Sequence, residues 1–216
     1  MTNLPDPIYL IAGLSLLALI PFAAVMLTSF VKIAVVLSLI RNALGVQQIP
    51  PNIALYGLAM IMSLFIMAPI GYEIADIVEE NPSSLESSEG IKSVVEQSMV
   101  PLKVFLKKHA SEDEASFFLE TAGKLWPEDI SEKVTEDDLL IIIPTFVVSE
   151  LTSAFQIGFL IYLPFIVIDL IISNVLLALG MMMVSPMTIS LPFKLLLFVL
   201  VDGWANLLHS LVLSYQ

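Results

Sequence analysis

The stretch IDLIISNVLLALGMMMVSP, residues 168–186, combines an isolated acid with three consecutive methionines. Asp169 stands in a long apolar run, where an unpaired carboxylate at the centre of a bilayer would cost at least about 2.5 kcal/mol. Three roles are open to such an acid: an ion pair within one helical bundle, an ion pair at a contact between subunits, or a step in a proton relay. Because relays generally need more titratable groups, we favour the subunit contact. Glu150, Lys194 and Asp202 lie in the same apolar part of the chain and are candidates for the same contacts.

The three methionines Met181, Met182 and Met183 lie between Gly180 and Pro186. Consecutive residues of a helix point about 100° apart, so one helix face cannot hold all three side chains. The flanking glycine and proline instead predict a loop or a helix end. Methionine is unbranched and fits irregular partners, which suits either gap filling in a core or an adaptable seal. The residues alone leave both interpretations open.

No pattern in the sequence indicates catalysis. The chain has no P-loop, no dinucleotide-binding glycine pattern and no nucleophile elbow. It has no cysteine, which excludes disulfides and thiolate metal sites. His109 and His209 are isolated in sequence, as is typical of surface or hydrogen-bonded histidines rather than of metal ligands. We therefore expect no catalytic residue, no cofactor and no metal.

Composition predicts a membrane protein with one water-exposed segment. The chain is 57% hydrophobic and only 14% charged, whereas soluble domains carry roughly 25% charged residues. Residues 73–138 hold 17 of the 21 acids and six of the nine bases. An acidic segment of this kind argues against binding nucleic acid. The chain thus divides into N-terminal apolar helices (1–72), an acidic soluble helical segment (73–138) and a C-terminal apolar helical hairpin (139–216).

The apolar runs predict helices long enough to cross a bilayer. Residues 7–31 carry no charge, and a helical span needs about 20 apolar residues. They follow no basic region of the kind that opens a signal peptide, so we expect an anchor that is kept. A second span is predicted at 53–72, a long helix at 145–183 and a last helix at 193–213, after a turn at 184–192.

Within the acidic segment, two capping boxes predict helix starts. Ser111 is followed three residues later by Glu114, and Thr135 by Asp138. We therefore expect a small helical unit in water.

The few bases outside the acidic segment predict topology. Residues 32–52 read as a short polar link, in which Lys32 and Arg41 mark the cytoplasmic side. Lys194, at the predicted second turn, fits the same side. The acidic segment 73–138 would then face the periplasm of a bacterial cell.

Three long segments carry a family resemblance: TSFVKIAVVLSLIRNALGVQQIPPN (28–52), PTFVVSELTSAFQIGFLIYLPFIVIDLIISNVLLALGMMMVSP (144–186) and ISLPFKLLLFVLVDGW (189–204). They resemble the R protein of type III secretion export machinery, the SctR/YscR family, which is related to flagellar FliP. The segment QQIPPN and the missing signal peptide favour the injectisome branch over the flagellar branch.

The resemblance implies an all-α fold of membrane-associated helical hairpins with a small soluble insertion, assembling into a ring. It implies five copies joined by the small S protein and a single T protein, in a conical bundle raised largely out of the bilayer around an export pore. It also implies that a methionine loop seals the closed pore, here Met181, Met182 and Met183. Other export-gate and basal-body proteins and secreted polypeptides are the remaining partners that it implies.

The function expected from these observations is a pore-forming structural subunit of the injectisome export gate in the bacterial inner membrane. The alternative is an oligomeric ion channel or small-solute transporter, which would favour internal repeats that this sequence lacks. A membrane protease is a weaker alternative, because Glu150, Asp169 and Asp202 are far apart in sequence.

Overall fold

The computed structural model describes residues 7–46, 48–82 and 88–216, and within them the chain forms helices and no strand. The expected all-α class is therefore confirmed. The helices are α1 Pro7–Met26, α2 Phe30–Ala43, α3 Asn52–Glu80, α4 Ser88–His109, α5 Glu112–Leu125, α6 Glu128–Ser131, α7 Leu139–Ala178, α8 Pro186–Leu200 and α9 Gly203–Leu213.

The prediction of a polar link at 32–52 is wrong, because this segment begins with the central helix of the fold. α2 packs against α3 and α7, and it contributes seven buried residues. They are Lys32, Ile33, Ala34, Val36, Leu37, Ile40 and Ala43. The two bases do not mark a polar link, because both find partners within the protein.

Arg41 ties the end of α2 to the start of α3. Its Nη1 donates to Asn52 Oδ1 at 2.5 Å and to the carbonyl of Pro50 at 3.3 Å. A single side chain thus spans the turn between the two helices and fixes their relative direction.

α2 and α7 approach each other closely at Gly158. A Cβ atom at this position would lie 2.2 Å from Leu39 Cδ1 and 3.2 Å from Leu39 Cβ. The glycine makes room for the Leu39 side chain between the two helices, and small residues are common at such contacts between membrane helices.

The C-terminal helices differ from the sequence-based expectation in three places. α7 runs from Leu139 to Ala178 instead of over 145–183. α8 begins at Pro186, within the predicted turn, because proline suits the first turn of a helix. The predicted last helix 193–213 is broken at Asp202, whose φ of 48° is left-handed.

The acidic segment begins within α3, which runs to Glu80, and its later part forms the three helices α4–α6, here called the acidic lobe. α4 packs on α7 and α3 through a second core cluster. Its fully or nearly buried members are Phe105, Leu106, Ile142, Phe146 and Tyr215. Asp138 accepts from the backbone N–H of Thr135 at 2.7 Å in the turn before α7. The N-cap of α7 is Asp138 instead of the predicted Thr135, and it makes no side-chain cap. Ser111 precedes α5 but makes no side-chain cap.

Much of the apolar surface has no partner within the chain. Among the described residues, α3 and α7 are each long and apolar enough to cross a membrane. Two bent pairs of helices, Leu17–Met26 with Phe30–Ala43 and Pro186–Leu200 with Gly203–Leu213, raise the number of spans to as many as four. Exposed apolar surface on this scale indicates contact with lipid or with other subunits.

Candidate functional site

The methionines occupy a tight turn at the end of the α7–α8 hairpin. Gly180 ends α7 with a φ of 74°, a left-handed conformation that glycine adopts without steric cost. The N–H of Met181 donates to Leu176 O at 2.9 Å, and the N–H of Gly180 donates to Leu177 O at 3.0 Å. These two bonds form a Schellman motif. The turn expected from Gly180 and Pro186 is present, at residues 179–185.

The methionine side chains project away from the protein. Met181 is 44% exposed, Met182 81% and Met183 fully exposed. Gap filling in the core of this chain is therefore excluded for Met182 and Met183. Three adjacent exposed apolar side chains on a rigid turn require a partner outside the chain.

An ion pair joins the two helices of the hairpin. Lys194 Nζ on α8 lies 2.6 Å from Asp169 Oδ2 on α7, and the Ser190 hydroxyl donates to Asp169 Oδ1 at 2.6 Å. Lys194 is nearly fully buried, whereas the Asp169 side chain is 39% exposed. The base partner of Asp169 is thus supplied by the same chain, and its place at a subunit contact stays a prediction.

Lys194 also links the hairpin to the central helix. Its Nζ donates to the carbonyl of Ala43 at 3.1 Å, at the last residue of α2. A cation at a helix C-terminus is stabilised by the helix dipole. The expected position of Lys194 at the second turn is not observed, because the residue lies inside α8, where it joins α8 to α7 and to the end of α2.

A second ion pair lies at the other end of α2. Lys32 Nζ is 2.8 Å from Glu150 Oε1, with both side chains almost completely buried. The Tyr215 hydroxyl donates to the other oxygen of Glu150. The sequence alone does not identify Glu150 as the partner of Lys32. The signal that was present is that isolated charges in apolar helices must find partners. Lys32 is therefore an internal residue of the fold, not a base in an exposed loop.

Asp202 does not behave as a buried charge within the chain. It is exposed at the break between α8 and α9, and its side chain makes no ion pair with the residues that the structure describes. The sequence placed it near the middle of one apolar helix. The helix break corrects that expectation, and a subunit contact for Asp202 stays a prediction.

His109 lies between two aromatic rings. Its ring centroid is 4.8 Å from that of Phe105 and 4.9 Å from that of Tyr215. Burial, together with the charges of Lys32 and Lys108, lowers the pKa of His109 to about 4. The described residues contain no group of three side chains suited to a metal, and the packing gives this histidine a structural role.

Comparisons with known proteins place the chain in a family. Residues 13–211 match the FliP family. The chain is 60% identical over 215 residues to the Yop proteins translocation protein R of Yersinia pestis, across 100% of this chain and 99% of that protein. It is 53% identical to the virulence protein YscR of Salmonella typhimurium, across 99% and 100% of the two chains.

A third relative comes from Pseudomonas syringae. The harpin secretion protein HrpW of Pseudomonas syringae is 51% identical over 200 residues, which cover 93% of this chain and 96% of that protein. With a family match across nearly the whole sequence, the chain belongs to the FliP family, in its SctR/YscR branch, and is a component of a type III secretion apparatus.

Proposed function

We propose that this protein is a pore-forming subunit of the injectisome export gate, through which unfolded polypeptides cross the bacterial inner membrane. One observation carries the proposal. Three exposed methionines lie on the turn of a helical hairpin, and the Asp169–Lys194 ion pair joins the two helices of that hairpin. The family is a structural part of a secretion apparatus and not an enzyme family. Energy for transport then comes from partner proteins.

The chemistry of the turn suits a deformable seal. When several copies surround one axis, each contributes the side chains of Met181, Met182 and Met183 to the same narrow path. Apolar side chains filling that path exclude water and ions. Methionine is flexible and polarizable, so the same side chains can repack around a passing polypeptide of any sequence.

The surface of the single chain supports assembly. The window of α7 that qualifies as a span has only 11% of its residues buried within the chain, and that of α3 has 17%. We propose that neighbouring copies, the S and T export proteins and lipid cover the remaining surface. In this arrangement five copies form the ring in the inner membrane, with the acidic lobe on its periplasmic side and the other gate and basal-body proteins around it.

The decisive experiment measures ion conductance of membranes that carry the assembled complex. Changing Met181, Met182 and Met183 together to alanine removes the apolar bulk from every copy at once. We expect this variant to assemble normally and to leak ions through the closed gate. The matched control changes Ile61, Leu64 and Phe65 of α3 to alanine, which removes three apolar side chains that are likewise exposed on the chain but do not belong to the turn.

Two further results sharpen the test. Leucine at 181–183 should keep the closed state tight but slow secretion, because leucine adapts its shape less readily than methionine. If the alanine variant at the turn assembles and conducts no more than wild type, the methionines do not form the seal. An ion channel or solute transporter, the alternative function, would conduct in the wild type without any secretion partner.

A further inference from the structure

The penultimate residue of the chain is buried among three other helices. Tyr215 is only 9% exposed, whereas Gln216 beside it is exposed. Chain ends are poorly ordered unless specific contacts hold them. The surroundings of Tyr215 therefore indicate what this end of the chain does.

One side of the Tyr215 ring contacts the acidic lobe. It stacks on Phe105 of α4 with ring centroids 6.0 Å apart and planes 15° from parallel. His109, one turn further along α4, meets the ring edge-on at 4.9 Å. Phe105 and His109 of α4 therefore both contact the ring of Tyr215.

The other side of Tyr215 contacts the apolar bundle. Lys32 Nζ of α2 lies 4.2 Å from the ring centroid, a distance at which a cation is attracted to an aromatic face. The hydroxyl donates to Glu150 of α7. Tyr215 thus supplies the third member of the buried Lys32–Glu150 pair and satisfies a carboxylate oxygen that would otherwise lack a partner in an apolar region.

α9 does not need Tyr215 to stay in place. Leu207 and Leu211 of α9 belong to the larger core cluster around α2, which is separate from the cluster that contains Tyr215. Loss of the tyrosine should therefore leave α9 and the larger core cluster in place and affect the junction between α4 and the bundle, including the Lys32–Glu150 pair at that junction.

We propose that Tyr215 is a positioning residue, a C-terminal latch that holds the acidic lobe on the apolar bundle. The latch concerns the orientation of the lobe and is independent of the methionine seal.

The test uses single cysteines as reporters, since the chain has none of its own. Leu102→Cys lies on the face of α4 that packs against the second core cluster, which contains Tyr215. Ala59→Cys lies in the larger core cluster at 0% exposure. Each reporter is placed in the full chain, in the chain lacking Gln216, and in the chain lacking both Tyr215 and Gln216. The maleimide reaction rate is measured in the membrane-embedded complex.

Loss of Tyr215 should speed the reaction at position 102 by about tenfold or more, the effect of losing one buried interaction. The rate at position 59, and both rates in the chain lacking only Gln216, should match the full chain. Unchanged rates at both reporters would overturn the latch. An equal increase at both reporters would also overturn it, since Tyr215 would then support the whole fold and not the lobe junction.

A Tyr215→Ala variant of full length separates the side chain from chain length. It should reproduce the faster reaction at position 102. A rate at wild-type level in this variant would mean that the terminal backbone, not the tyrosine ring, holds the lobe, and would overturn the assignment to Tyr215.

Discussion

Ion-paired charges have a large influence on helix packing in this structure, because Lys32 and Lys194 are almost completely buried. Lys32 and Glu150 are both almost completely buried and 2.8 Å apart. Removing one partner of such a pair leaves the other charge uncompensated, whereas replacing both by apolar residues can be nearly neutral. The pair therefore fixes how α2 and α7 are aligned more than it adds net stability.

This view predicts strong coupling between Lys32→Met and Glu150→Leu. Each single change should lower the stability of the purified complex by about 3–5 kcal/mol. The loss of stability in the double variant should be smaller than the sum of the two single losses by at least about 1 kcal/mol. Denaturant unfolding in detergent gives the four values of the cycle. Additive losses would show that the two charges act independently.

His109 makes the lobe junction sensitive to acid. Its pKa is lowered to about 4 in the folded protein, while in the unfolded chain it stays near 6.5. Between these values the unfolded chain binds a proton that the folded chain does not, so stability falls as the pH is lowered through that window. Above about pH 6.5, His109 is neutral in both the folded and the unfolded chain, so it does not make the free energy of unfolding depend on pH.

The corresponding measurement follows the unfolding midpoint from pH 7.5 to pH 4 in wild type and His109→Phe. Phenylalanine keeps a ring between Phe105 and Tyr215 but cannot be protonated. The variant should lose less stability on acidification than wild type does. Identical pH profiles would assign the acid sensitivity to other groups.

At the scale of helices, the contact between α2 and α7 depends on one missing side chain. Gly158→Val should force Leu39 and α2 outward, since even a Cβ would lie 2.2 Å from Leu39 Cδ1. We expect a loss of about 1–3 kcal/mol. Gly57→Val in α3 is the matched control, because nothing lies within 4 Å of its Cβ position. The two variants carry the same change in helix propensity, so equal melting temperatures would refute close packing at Gly158.

The sequence predicted those elements whose local signals agree with the tertiary structure. Gly180 and Pro186 mark the methionine turn because both act through backbone geometry, which is local. The burial of α2 was not predictable in this way, since Lys32 finds Glu150 118 residues further along the chain. The break at Asp202 does carry a local signal, because Asp202 and Gly203 form an Asp-Gly pair, which is typical of turns. Gly203 also lies against the ring of Phe198, where an added Cβ would be 2.3 Å from the nearest ring carbon.

At the scale of the molecule, the length of α7 limits how the chain can lie in a membrane. Forty helical residues extend about 60 Å, roughly twice the hydrocarbon thickness of a bilayer. Part of this apolar helix must therefore be covered by protein instead of lipid. The acidic lobe packs near the start of α7 and the methionine turn follows its end, so the two lie at opposite ends of the hairpin.

The side of the membrane that holds the acidic lobe can be determined with single cysteines. Half of α2 is unsuitable for reporters, because seven of its fourteen residues are buried and a cysteine there would fail to react from either side. Leu125→Cys at the end of α5 is suitable, since Leu125 is 75% exposed, and Ala34→Cys in α2 is the unreactive control at 7% exposure.

In cells with a permeabilised outer membrane and an intact inner membrane, an impermeant maleimide should label position 125 and leave position 34 unlabelled. The positive-inside rule counts Lys and Arg and gives acids little weight, and residues 73–138 carry six of the nine bases of the chain. The charge rule therefore does not argue for a periplasmic lobe, and the labelling result decides its side. Labelling of position 125 only after lysis of the inner membrane would place the lobe in the cytoplasm and reverse the direction of the hairpin.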